Sequence, residues 1–138
     1  MSGIIVDASR IGNAILPDER GEFTERLLQI ILASDLHEPI HWPFEIGNLV
    51  LKASRRGRIA IAEWNEARDS LALLIDGAEV ESVSYAMQAF ELAIIHNISV
   101  YDAGYLEMAL RSGLPLLTSD GPLGRAAESA GVELVNVL

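Results

Sequence analysis

Ile4-Ile5-Val6-Asp7-Ala8-Ser9 decides the fold. Its apolar opening run, short and β-branched, is the pattern of a strand buried on both faces, and such strands belong to parallel sheets covered by helices. The run ends at a carboxylate, Asp7, and Ser9 opens a helical turn behind it. The same order of events returns near the C-terminus. Leu114-Pro115-Leu116-Leu117-Thr118 reads as a strand ending at Asp120, and Leu123 to Ala130 reads as a short alanine-rich helix closed by Gly131.

Between these ends the pattern keeps alternating. Pro17-Asp18-Glu19-Arg20-Gly21 is a break, after which Phe23, Leu27, Ile30 and Ile31 keep helical spacing to about Asp35. Pro39-Ile40-His41-Trp42 is read as a brief strand, and Pro43 suits the first position of a helix carrying Phe44 to Arg56 and ending at Gly57. Ile61, Trp64, Leu71, Leu74 and Ile75 outline a helix to Gly77, followed by a strand at Val80 to Val83. From Ser84 to His96, Met87, Phe90 and Ile94 mark one helical face that Ala86, Ala89 and Ala93 broaden into a surface expected to be buried. Asn97 stops this helix, Ser99-Val-Tyr-Asp102 has capping-box spacing for the next, which runs to Gly113, and Val132 to Val137 is a last strand. The expectation is an α/β fold, a three-layer α/β/α sandwich around a central parallel sheet, in one domain over residues 1–138.

Composition bounds the function. The 138 residues suffice for one sizeable core, and no apolar run approaches the length of about 20 that spans a bilayer. The start of the chain shows no export signal, and cysteine is absent, so a cytoplasmic location is expected and any metal must be held by oxygen or imidazole. A formal charge of −10 argues against loose attraction to nucleic acid. It does not exclude a nucleic-acid substrate, because Lys52-Ala-Ser-Arg55-Arg56-Gly-Arg58 gathers four of the ten basic residues into a local patch.

Asp7, Glu45, Asp102 and Asp120 share a position: each stands where a strand ends or a helix begins. In a parallel sheet those points lie along one edge, the edge where such folds build their sites. Each acid also has an ordinary role. Asp7 and Asp120 suit helix N-caps, Glu45 suits the positive end of its helix, and Asp102 suits the capping box. The two roles are compatible, since a capping carboxylate can still offer an oxygen outward. Together the four would repel one another unless a cation sat between them, and oxygen-only ligation favours Mg2+ or Mn2+. Ser9 and Thr118 are candidates for orienting the acids, with Asn13 and Asn48 behind them. Lys52 and Arg56 follow Glu45 by seven and eleven residues, which places them within about 20° of its helix face. They are candidates for contact with a phosphate backbone, or else a solvated helix end. His37, His41 and His96 lack metal-ligand spacing, and Tyr101 and Tyr105 are assigned to packing.

Four segments in order resemble the PIN-domain ribonucleases, and among them the VapC-type toxins of toxin-antitoxin pairs. They are Ile5-Val-Asp-Ala-Ser9 with Leu16-Pro-Asp-Glu19; Trp42-Pro-Phe-Glu-Ile-Gly-Asn-Leu49; His96-Asn-Ile-Ser-Val-Tyr-Asp-Ala103 with Tyr105-Leu106; and Gly113-Leu-Pro-Leu-Leu-Thr-Ser-Asp120 with Leu123. The resemblance implies a PIN-type fold, Mg2+- or Mn2+-dependent endoribonuclease activity, and metal-site roles for Asp7, Glu45, Asp102 and Asp120. It also implies a homodimer and a cognate antitoxin whose C-terminal segment covers the site. Arg10-Ile-Gly-Asn13 departs from the pattern, standing where relatives often carry small and apolar residues before a tryptophan. It bears on RNA access more than on activity. The competing readings are a non-catalytic PIN-like interaction module, a housekeeping RNA-processing nuclease, and a phosphoryl-transfer domain with an aspartyl nucleophile. The last lacks a second Asp two positions after Asp7 and a well-placed lysine.

Overall fold

The structure is a computed structural model that describes residues 3–137. Four parallel strands, β1 (Gly3–Val6), β2 (Asp35–Glu38), β3 (Glu79–Val80) and β4 (Leu116–Leu117), form a sheet in the order β3-β2-β1-β4. Helices α1 (Ala8–Ile15), α2 (Thr24–Ala33), α3 (Trp42–Arg55), α4 (Ile61–Gly77), α5 (Ala86–His96), α6 (Val100–Ser112) and α7 (Gly121–Ala130) pack around it as the outer layers of an α/β/α sandwich. Ile4, Ile5 and Val6 are all buried in the central strand, as an uninterrupted apolar run requires. The strand order turns back beside β1, which has β2 on one side and β4 on the other. The C-terminal edge at that point is the crevice of a doubly wound sheet.

Three segments differ from the sequence-based expectation. The strand read at Pro39 to Trp42 lies four residues earlier, at Asp35–Glu38, where Leu36 and Glu38 point inward. Proline has no N–H for a ladder, and Pro39 instead offers its carbonyl to Trp42 N at 3.0 Å in the turn that starts α3. The strand read at Val80 to Val83 is only Glu79–Val80. Val132 to Val137 forms no strand, only a single parallel bridge between Leu134 and Leu116.

The face expected on α5 is turned around. Met87, Phe90 and Ile94 are 70%, 48% and 66% exposed, while Ala89 and Ala93 are buried against Ala103 of α6. Small side chains let two helix backbones approach closely, and the large ones are thereby left outside. Asn97, with φ at 52°, closes α5 in the left-handed conformation that asparagine tolerates.

Candidate active site

Asp7 is the centre of the C-terminal edge. It is 3% exposed and caps α1, its Oδ1 accepting from Arg10 N at 3.2 Å. The Ser9 hydroxyl donates to Oδ1 at 2.6 Å, and the Thr118 hydroxyl donates to Oδ2. Both hydroxyls in turn accept from the strand-end loop: Ser119 N donates to Ser9 Oγ, and Asp120 N to Thr118 Oγ1, each at 3.0 Å. Ser9 and Thr118 therefore couple Asp7 to the backbone that carries Asp120. Burial raises the Asp7 pKa against the lowering effect of these bonds, and the charge of Asp120 raises it further.

Asp120 caps α7 through Oδ1, which accepts from Leu123 N at 2.9 Å. Asp102 lies in the first turn of α6, where its backbone N donates to Ser99 Oγ at 3.0 Å. Its carboxyl is half-buried, and its pKa is pushed up to about 6 by burial, then by the charges of Asp120 and Glu45. Glu45 occupies the first turn of α3. Its Oε1 accepts from the buried Tyr105 hydroxyl at 2.7 Å and lies 3.5 Å from His41 Nε2. The acids thus share one electrostatic neighbourhood. Among the described residues, no three acidic or imidazole side chains stand at ligand spacing around one point. The donor chemistry of the array is that of a hard divalent cation: oxygen alone, with mutual repulsion that a positive ion relieves.

Lys52 and Arg56 lie exposed along and just beyond the C-terminal half of α3, leading away from Glu45 at its start. At 1.5 Å per residue they stand roughly 10 and 16 Å along the axis from Glu45.

Sequence reading passed over three residues. From sequence Tyr105 is assigned to packing and His41 has no metal-ligand spacing, yet Tyr105 holds Glu45, and His41 Nε2 donates to the Tyr101 carbonyl of α6 at 2.8 Å. Gly104 makes this clasp between α3 and α6 possible, because a Cβ there would stand 2.4 Å from His41 Cε1. Glu38 is the third. It is fully buried at the end of β2, and its Oε2 accepts from Val6 N at 3.0 Å where the two strands part, one residue before Asp7. Its other oxygen has no partner among the described residues, and burial pushes its pKa well above the usual carboxylate range. The carboxyl therefore serves as an acceptor where strand pairing gives out. Glu38→Gln keeps that acceptor and is expected to leave the melting temperature almost unchanged at pH 7. Glu38→Ala orphans Val6 N and opens a cavity, a loss of about 2–4 kcal/mol measurable by urea unfolding.

The PIN domain family matches residues 4–129. The chain belongs to the PIN domain family. This PIN domain is 34% identical over 121 residues to the protein named Ribonuclease VapC3 of Pyrobaculum aerophilum, covering 87% of this chain and 91% of that one. It is 28% identical over 126 residues to Ribonuclease VapC1 of Mycobacterium tuberculosis, with 91% and 92% covered. Among solved structures, PAE2754 from Pyrobaculum aerophilum superposes with a TM-score of 0.68 at 24% identity, over 91% of this chain and 86% of that chain. FitAcB from Neisseria gonorrhoeae gives 0.61 at 17%, over 97% of each. These two likenesses bear on the fold. The PIN architecture explains why acids so distant in sequence share one edge.

Proposed function

We propose that the protein is a Mg2+- or Mn2+-dependent endoribonuclease and the toxin of a toxin-antitoxin pair. The observation that carries the reading is the convergence of Asp7, Glu45, Asp102 and Asp120 on one sheet edge, in a PIN domain whose relatives are named ribonucleases. Those four carboxylates would hold the ion. When bound, the ion polarises the phosphodiester and lowers the pKa of the attacking water. Asp7 is the fixed member, because Ser9, Thr118 and the α1 backbone set its orientation. Tyr105 fixes Glu45 opposite it, and the half-buried Asp102 gives up its proton near neutrality. Lys52 and Arg56 track the strand of RNA away from the acids. The exposed row Met87, Phe90 and Ile94 supports a homodimer, and the VapC relatives support an antitoxin partner.

The test is a time course on a long single-stranded RNA. Internal cleavage is expected with Mn2+ or Mg2+ and none with chelator, whereas intact RNA under both conditions would reject the reading. In the same assay Lys52→Ala and Arg56→Ala should each raise KM several-fold and leave kcat near wild type. Each should also make log kcat/KM less steep in log salt by about 0.7, the share of one single-strand phosphate contact.

A further inference from the structure

Arg10 stands in the first turn of α1, three residues after Asp7. Its backbone N caps onto Asp7, and the Asp7 charge acts on its guanidinium. The guanidinium is held on two sides. Nη1 donates to Asn13 Oδ1 at 3.2 Å, and the group lies over the Phe23 ring, 5.6 Å from its centroid. Among the described residues Nε is buried without a partner, while Nη2 is neither buried nor bonded. An oriented guanidinium with an open terminal nitrogen is a donor awaiting an acceptor.

The surroundings keep this charge available. Asp18 and Glu19, the acids of the segment that follows α1, are both taken by Arg58. Its Nε and Nη2 bond Asp18 at 2.7 and 3.0 Å, and Nη2 bonds Glu19 Oε2 at 2.6 Å. The other Glu19 oxygen accepts from Asn13 Nδ2 at 3.0 Å. Asn13 therefore stands between Arg10 and Glu19 as a neutral amide. It fixes the guanidinium by hydrogen bonding without cancelling it. Among the described residues Arg10 has no side-chain ion pair.

We propose that Arg10 is a phosphate-binding residue that takes a non-bridging oxygen of the RNA backbone at the mouth of the carboxylate site, aimed there by Asn13 and Phe23. The inference rests on the endoribonuclease reading and adds to it a substrate contact. An array of acids repels the polyanion it must cleave, and one oriented cation at its rim offsets that repulsion where the strand enters. Guanidinium suits the task because its charge persists at every working pH and its planar fork matches phosphate oxygens.

Steady-state cleavage of single-stranded RNA in Mn2+ tests this on four proteins: wild type, Arg10→Ala, Arg10→Lys and Asn13→Ala. Circular dichroism confirms folding, and the Mn2+-induced shift in melting temperature reports the ion site separately. Arg10→Ala should raise KM about tenfold with kcat within threefold, and should make the slope of log kcat/KM against log salt shallower by about 0.7. Arg10→Lys should restore the slope and only part of KM. Asn13→Ala, with the charge kept but unaimed, should keep the slope and raise KM several-fold. The Mn2+ shift should be the same in all. A wild type that cuts RNA alongside an Arg10→Ala protein with unaltered KM and slope would overturn the proposal and leave the nuclease reading intact. So would an Arg10→Ala protein that gains Mn2+ affinity tenfold with RNA kinetics unchanged, since Arg10 would then be an internal counter-ion. A wild type that fails to cut RNA fails the nuclease reading itself.

Discussion

Asp7→Asn should abolish metal-dependent RNA cleavage, with a loss of more than about 1,000-fold in kcat/KM, and should melt no lower than wild type at pH 8. Both halves follow from the same burial. Asparagine caps a helix as well as aspartate does, and its amide oxygen can accept from Arg10 N, so α1 keeps its start. The substitution removes a negative charge from a site only 3% exposed. The folded pKa of Asp7 is raised above its unfolded value of 3.8, so its contribution to stability is fully present below pH 3.8 and lost as pH rises through the folded pKa. At pH 8 the wild type carries that penalty and the asparagine variant does not. Thermal melts across a pH series should therefore show the variant gaining on wild type as pH rises through the folded pKa of Asp7. A folded Asp7→Asn protein that still cuts RNA would remove Asp7 from the chemistry, and one that melts several degrees lower at pH 8 would make its charge structural.

The largest response to conditions should come from the divalent ion itself. At a hundred times its dissociation constant, Mn2+ should stabilise the folded state by about 2.7 kcal/mol, roughly 10 °C in melting temperature for a domain of this size. The shift should depend on pH in a direction set by Asp102. Its pKa is about 6, so at pH 5 the ion must displace a proton from most of the molecules, and at pH 8 from almost none. Apparent affinity should fall about tenfold per pH unit below 6 for this one group, and more steeply once Asp7 also protonates. In the metal-free protein the sign is opposite. The Asp102 contribution to stability is present below pH 3.8 and fades as pH rises through about 6, so added Mn2+ and rising pH act against each other. Differential scanning fluorimetry across pH 5 to 8, with Mn2+ and with chelator, measures both. A Mn2+ shift equal at pH 5 and pH 8 would remove Asp102 from the ion site.

Local patterns carried the parts of this architecture that local chemistry determines. The buried strand at Ile4 to Val6, the caps at Asp7, Ser99 and Asp120, and the stop at Asn97 can each be read within a few residues. So can the positions of the four acids, because strand ends and helix starts mark the sheet edge. Glu38 escaped because β2 was sought in the apolar run Pro39 to Trp42, and a carboxyl in the true strand breaks the expected hydrophobic pattern. The α5 face was turned around because alanines and large apolar residues are interleaved along one helix, and the choice between them depends on α6, not on α5. Tyr105, His41 and Gly104 lay beyond reach for a related reason. Their meaning is a contact between helices 60 residues apart, which no local spacing encodes.

That separation governs when the site can exist during synthesis. The bonds that orient its acids span 60 residues from Tyr105 to Glu45, 110 from Ser119 to Ser9 and 111 from Thr118 to Asp7. At about 5–20 residues per second, the N-terminal half of the chain waits several seconds on the ribosome before its partners have been made. Through that interval Asp7 is present without the hydroxyl of Thr118, and Glu45 without that of Tyr105. The fixed geometry of Asp7 and Glu45 therefore arises only after the segment carrying Tyr105, Thr118 and Asp120 has been made and has docked.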